Sequence, residues 1–258
     1  MEPSAANLSP SCIQTGLRVW AADWLVTGLL GLAVTTALLR HTDPGLPAAA
    51  GFVALWLLLG LVLVLRTPPD GPAPARQGPG PANRVTLLRA ALTAPLGGLI
   101  VAAPAPGDSV LALWVITLAG LALILDGVDG AVARRTQSAS SFGARFDMEL
   151  DAAMILALSV LAWQITAVGP WVILIGLMRY AFVLAATPLP WLAAPLLPSR
   201  RRQAVCVLQT VVLLLVLTPG LPDTAAVTIA LAGLLTLGLS FAVDIHWLYR
   251  HRPEVCHD

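Results

Sequence analysis

Residues 126–151 read DGVDGAVARRTQSASSFGARFDMELD, with five acidic side chains and three arginines in 26 positions. Asp126 and Asp129 are three apart, and Asp147 and Asp151 are four apart. Each pair shares a face if the apolar runs beside it are helical. A short connection ending near Gly143 makes those two helices antiparallel neighbours, so the four carboxylates can meet in one pocket near a membrane surface. A charged side chain costs about 2.5–3.5 kcal/mol at the centre of a spanning helix and less near its ends. Four like charges also repel. Arginines could neutralise part of that charge; hard divalent cations do it better, because carboxylate oxygens suit Mg²⁺ or Mn²⁺. Two cations sharing a carboxylate cluster are a recurrent device for displacement at phosphorus. Gly130 and Ala133 leave one helix face bare for a ligand, Arg134 offers an anion partner, and Gly143 lets the connection turn. For any single residue the alternative is a solvated charge in an inter-helix loop. The four aspartates at these spacings argue together against it. Glu149 is out of phase with Asp147 and Asp151, and Arg135 and Arg145 read as topology charges.

The elements around this stretch are membrane helices. The chain has 258 residues, of which 57% are hydrophobic and only 11% charged, where a soluble domain carries about a quarter charged residues. Mean hydropathy is +0.82. A spanning helix needs about 20 mostly apolar residues, and eight candidates occur at about 18–39, 48–66, 84–104, 108–133, 146–168, 170–187, 203–218 and 224–248. Residues 1–17 are polar and irregular and read as a loose tail, without the pattern of a cleaved signal peptide. The segment 67–82, TPPDGPAPARQGPGPA, has nine Pro or Gly among sixteen residues and reads as an exposed linker. It separates an N-terminal hairpin, 18–66, from a six-helix body, 83–250, followed by a short C-terminal tail, 251–258. The expected class is an all-α polytopic membrane protein.

All fifteen basic residues are arginines, which fits a GC-rich genome. With the N-terminus in the cytoplasm and eight spans threaded, thirteen arginines fall on the cytoplasmic side, Arg89 among them, and Arg40 alone on the other. Arg179 lies within a span. This asymmetry obeys the positive-inside rule and puts residues 126–151 and both termini at the cytoplasmic face.

The acidic stretch resembles the signature of the CDP-alcohol phosphatidyltransferases, D-x2-D-G-x2-A-R-x8-G-x3-D-x3-D. Asp126, Asp129, Gly130, Ala133, Arg134, Gly143, Asp147 and Asp151 match every fixed position. The resemblance spans about residues 80–250 and implies six helices with the motif at the end of the second and start of the third. The family's N-x-x-T sequence stands in its expected place as Asn83-Arg84-Val85-Thr86. By resemblance, Asp126, Asp129 and Asp147 are ligands of one metal, and Asp126, Asp147 and Asp151 of a second. Asp151 is then also the general base. Asn83, Thr86, Gly130, Arg134 and Ser140 fall at positions that contact the CDP moiety. The implied cofactor is Mg²⁺ or Mn²⁺, as two ions. The implied reaction is attack by an alcohol on the β-phosphorus of a CDP-linked lipid, such as CDP-diacylglycerol, with release of CMP in phospholipid biosynthesis. The expected setting is a bacterial cell membrane, with membrane lipid, the CDP-lipid and an alcohol acceptor as partners and no nucleic acid. A homodimer is an expectation carried by the resemblance alone. The N-terminal hairpin is the departure: it could dock on the body, dimerise, or shield a lipid-access groove. Asp23, within its first span, reads as an interfacial residue in preference to a contact between helices.

The acceptor is less legible. An arginine inside a span faces the bundle interior with a partner, so Arg179 in GLMRYAF has either a carboxylate or an acceptor phosphate beside it. Arg200, Arg201 and Arg202 in PSRRRQ either enforce topology and touch anionic lipid or reach the acceptor, which would then be phosphorylated, such as glycerol 3-phosphate or an inositol phosphate. Asp244, His246 and Tyr249 read as an interfacial anchor beside Trp247. Cys12, Cys206 and Cys256 are far apart and read as incidental. A membrane prenyltransferase would place its two acidic motifs far apart in sequence. A cation transporter would place its acids at the membrane midplane, often with internal repeats. Neither pattern occurs here.

Overall fold

The computed structural model describes residues 10–42, 45–65, 81–102, 105–136, 141–196 and 199–252, apart from some side chains within these stretches. Eight α-helices and no strand occur among the described residues: α1 Pro10–Thr42, α2 Gly45–Leu65, α3 Pro81–Ala102, α4 Ser109–Thr136, α5 Ser141–Ile165, α6 Ile173–Ala185, α7 Arg200–Val216 and α8 Asp223–Arg250. Two 3₁₀ turns, Pro170–Val172 and Pro190–Ala193, flank α6. Among the described residues, five helices are long and apolar enough to cross a membrane, namely α1, α3, α4, α5 and α8, with shorter apolar helices at Pro47–Leu61 and Pro170–Ala185. The protein is an all-α polytopic membrane protein.

Helix ends differ from the sequence expectation. α1 starts at Pro10 and α3 at Pro81, so residues 10–17 are helical and the linker is shortened by two residues. Proline is tolerated in a first helical turn, where its missing N–H has no helical partner to lose. α4 continues to Thr136 through an AVARRT run of mostly good helix formers, and α5 begins at Ser141. Gly143 therefore lies in the first turn of α5 and not in the connection it was expected to bend. Residues 1–9, 137–140 and 253–258, and most of the linker, lie outside the described residues.

The chain forms two compact units, one of residues 1–102 and 120–150, the other of 103–119 and 151–258. In the first, α1 and α2 both pack on α3, so the hairpin docks on the first body helix. α2 and α3 meet backbone to backbone. A Cβ on Gly98 would stand 2.4 Å from the Ala48 carbonyl oxygen, and one on Gly51 2.5 Å from that of Gly97. Small residues of this kind drive helix association where lipid removes the hydrophobic incentive. Trp24 and Trp56 stack between α1 and α2 at 4.1 Å between ring centroids. Along α3, Leu87, Ala90, Ala91, Ala94 and Leu96 are fully buried. Leu25, Val26 and Leu29 of α1 and Leu57 and Leu58 of α2 are exposed, as a lipid-facing surface requires. Asp23 is not a merely interfacial residue: Arg84 Nε donates to its Oδ2 at 2.8 Å, joining α1 to α3.

In the second unit α7 packs on α8. The fully buried Gln209 donates through Nε2 to the Gly233 carbonyl at 3.1 Å, a polar tie between apolar helices. Phe182 meets Phe241 at 5.5 Å, joining α6 to α8. Tyr249 packs against Trp191 at 5.7 Å and under Arg252 at 4.3 Å, as an interfacial aromatic does.

Candidate active site

Asp126 lies ten residues before the end of α4, and Asp147 and Asp151 lie one turn apart on α5. Asp147 and Asp151 both belong to α5, which runs through residue 150 without a break. Asp126, Asp147 and Asp151 each offer a carboxylate oxygen, and these oxygens lie within 4.8 Å of one another. Three hard oxygen donors at this separation, none fully buried, match the chemistry of a hard divalent cation.

Arg89 is the residue that the sequence reading missed. Its side chain is 1% exposed. Nη1 donates to Asp147 Oδ1 and stands 3.1 Å from Asp126 Oδ1. Nε donates to the Ala122 carbonyl at 3.2 Å. Read from sequence as a topology charge, Arg89 is instead the structural counter-ion of the acidic cluster. The usable signal was its spacing: Arg89 follows Thr86 by three residues on α3, so both occupy one face, and Thr86 is buried beside it in sequence. The carboxylates of Asp126 and Asp147 keep 26% and 31% exposure, so they remain open to a ligand while α3 fixes their orientation.

Cys206 was also under-read. Its thiol on α7 points at Asp151 Oδ2, with sulfur and oxygen 3.8 Å apart. This is a weak donor contact.

The other expected site residues are placed less fully. Asp129, Gly130 and Arg134 are helical in the last turns of α4, and Asn83 in the first turn of α3, but their side chains lie outside the described set. Ser140 lies outside it altogether. Thr86 is buried on α3.

A family model for CDP-alcohol phosphatidyltransferase matches residues 81–241. The chain belongs to the CDP-alcohol phosphatidyltransferase family. The match covers α3 through most of α8 and leaves α1 and α2 outside. No curated protein and no solved structure matches the chain. Membership makes the protein a membrane-integral transferase acting on CDP-alcohols in lipid synthesis, in a family that uses divalent metal. The three-carboxylate cluster falls on the aspartates of the family signature.

The arginines considered for the acceptor separate into two kinds. Arg201 Nη1 donates to the Ser240 carbonyl at 2.7 Å and to its hydroxyl at 2.8 Å, and Nη2 donates to Asp244 Oδ1 at 2.5 Å. Arg202 Nη1 stands 3.5 Å from the same Asp244 oxygen. Asp244 is thus the ion-pair partner of the α7 arginines and not simply an interfacial anchor. Arg200 is exposed, and Arg179 on α6 is half-buried.

Proposed function

We propose that the protein transfers the phosphatidyl group of CDP-diacylglycerol to the hydroxyl of an alcohol acceptor and releases CMP. The observation that carries this reading is the convergence of Asp126, Asp147 and Asp151, three signature positions, into one cluster of carboxylate oxygens. Asp126, Asp129 and Asp147 would hold one Mg²⁺ or Mn²⁺, and Asp126, Asp147 and Asp151 a second. Bound there, the ions supply positive charge to the diphosphate as negative charge builds on it. Asn83, Thr86, Gly130, Arg134 and Ser140 hold the CDP moiety. Asp151 accepts the proton of the acceptor hydroxyl. The acceptor oxygen bonds to the β-phosphorus, the bond from that phosphorus to the bridging oxygen breaks, and CMP leaves with the electron pair. Arg89 acts through Asp126 and Asp147 as a positioning residue. Its Nη1 reaches both carboxylates while Nε is held by the Ala122 carbonyl, so the guanidinium is fixed in orientation against the two acids.

The acceptor in this reading is itself phosphorylated, as glycerol 3-phosphate or an inositol phosphate is. Arg179 and the Arg200–Arg202 group supply the cations for that phosphate. Arg201 and Arg202 are partly committed to Asp244, so the exposed Arg200 is the lead contact. The site opens to the cytoplasmic side of a bacterial cell membrane, both termini lie on that side, and the working unit is a homodimer.

The test is a product assay. Purified protein is given CDP-diacylglycerol, Mg²⁺ and a panel of phosphorylated and unphosphorylated alcohols, and the new lipid is identified by mass spectrometry. The reading predicts a phosphatidyl ester of a phosphorylated acceptor. A product formed only with unphosphorylated alcohols overturns the acceptor class, and no product with any alcohol overturns the reaction.

A further inference from the structure

The family match begins at residue 81, yet the compact unit that holds Asp126 and Asp147 begins with the N-terminal hairpin and continues through α3. The contacts inside this unit run the length of α3. At its start, Arg84 pairs with Asp23 of α1 at 2.8 Å. Three turns on, Pro95 removes the N–H that would bond the Ala91 carbonyl within the helix. Gly31 of α1 lies against that carbonyl, where a Cβ would stand 2.9 Å from the oxygen. This is an approach at which a Cα–H can contact the oxygen. Toward the end of α3, Gly97 and Gly98 meet the α2 backbone at Gly51 and Ala48. Between the first two contacts sits Arg89, whose guanidinium engages Asp126 and Asp147. A shift or rotation of α3 would carry Arg89 and Thr86 with it.

We propose that the N-terminal hairpin is a positioning device for the active site. It fixes the register and rotation of α3, and through α3 it sets Arg89 against Asp126 and Asp147 and sets Thr86 at the donor-lipid site. The inference rests on the assignment of that site to the CDP-lipid. Asp23 is its most testable element. The Asp23–Arg84 pair is too exposed, at 25% and 58%, to matter much as a source of global stability. Its reversal therefore perturbs the register of α3 without unfolding the helix.

The experiment compares full-length wild type, D23R, R84D and the swap D23R/R84D. It measures CMP release against CDP-diacylglycerol concentration and amide hydrogen exchange over residues 85–92. The expected result for D23R is a KM for CDP-diacylglycerol about threefold to tenfold higher, with kcat within about twofold, and faster exchange over that segment. The swap restores both readouts to within about twofold of wild type, because it rebuilds the pair with its sign reversed. A purely structural role would lower the yield of active protein and leave KM unchanged. Unchanged KM and exchange in D23R overturn the proposal, and so does a swap no better than either single variant. Should D23R fail to accumulate, D23N carries the test: faster exchange with a raised KM supports the proposal, and wild-type values in both overturn it. Wild-type protein that releases no CMP refutes the proposed reaction, while the exchange comparison still decides the role of the hairpin.

Discussion

Replacing Arg89 by methionine removes the cation at the acidic cluster while keeping much of the side-chain volume, so the loss is electrostatic and not chiefly a cavity. Breaking a buried ion pair from one side costs about 3–5 kcal/mol, because the remaining charge is stranded. Here the stranded carboxylates, Asp126 and Asp147, keep 26% and 31% exposure. Water recovers part of their solvation, and the expected loss for R89M without metal is about 2–3 kcal/mol. At roughly 2–4 °C per kcal/mol for a chain of this size, the melting midpoint falls by about 4–12 °C. A divalent cation takes over the neutralisation in the proposed site. Saturating Mg²⁺ therefore raises the midpoint of R89M more than that of wild type, since a ligand of the folded state stabilises by mass action. R89K, which keeps the charge and loses the fork, falls between the two. The assay is thermal unfolding of purified protein in detergent, with chelator and with Mg²⁺. An R89M midpoint within about 1 °C of wild type, or a deficit that metal does not shrink, refutes the reasoning.

Three further outcomes are expected. D151N leaves the protein folded and able to bind CDP-diacylglycerol, but lowers kcat by about 10²–10⁴, the range of a lost general base; stopped product assays read this directly. R201A loses its Ser240 and Asp244 partners and about 1 kcal/mol of stability and raises the KM for a phosphorylated acceptor modestly; R200A leaves stability nearly unchanged and raises that KM more. Chelation of divalent metal abolishes CMP release, and added Mg²⁺ or Mn²⁺ restores it, whereas Ca²⁺, larger and looser in its geometry, restores it poorly.

The helices were legible because apolar runs near spanning length have few alternatives in a bilayer, where every backbone polar group must be paired internally. Their ends were less so. Pro10 and Pro81 look like breakers but sit at first turns, and Gly143 looks like a bend but lies inside α5. The clustering of Asp126, Asp147 and Asp151 was readable from local periodicity, since two short-range spacings and one short connection suffice to bring them together. Arg89 was not readable as their partner, because its contacts to Asp126 and Asp147 cross 37 and 58 residues and depend on how α3 packs. The same holds for Asp23 with Arg84, 61 residues apart, and for Cys206 with Asp151, 55 apart. Spacing within one helix or across a tight connection survives in the sequence. A partner on a distant helix is set by tertiary packing, of which a single sequence carries little trace.

The proposed role of the aspartate cluster is metal-dependent phosphatidyl transfer. Its most direct measurement is CMP release from CDP-diacylglycerol by purified wild-type, D126N, D147N and D151N proteins, with a phosphorylated acceptor and with and without Mg²⁺. Release by wild type is expected only when metal is present, with a loss of at least about 100-fold in each variant. Release that is indifferent to metal, or equal in D151N and wild type, would contradict it.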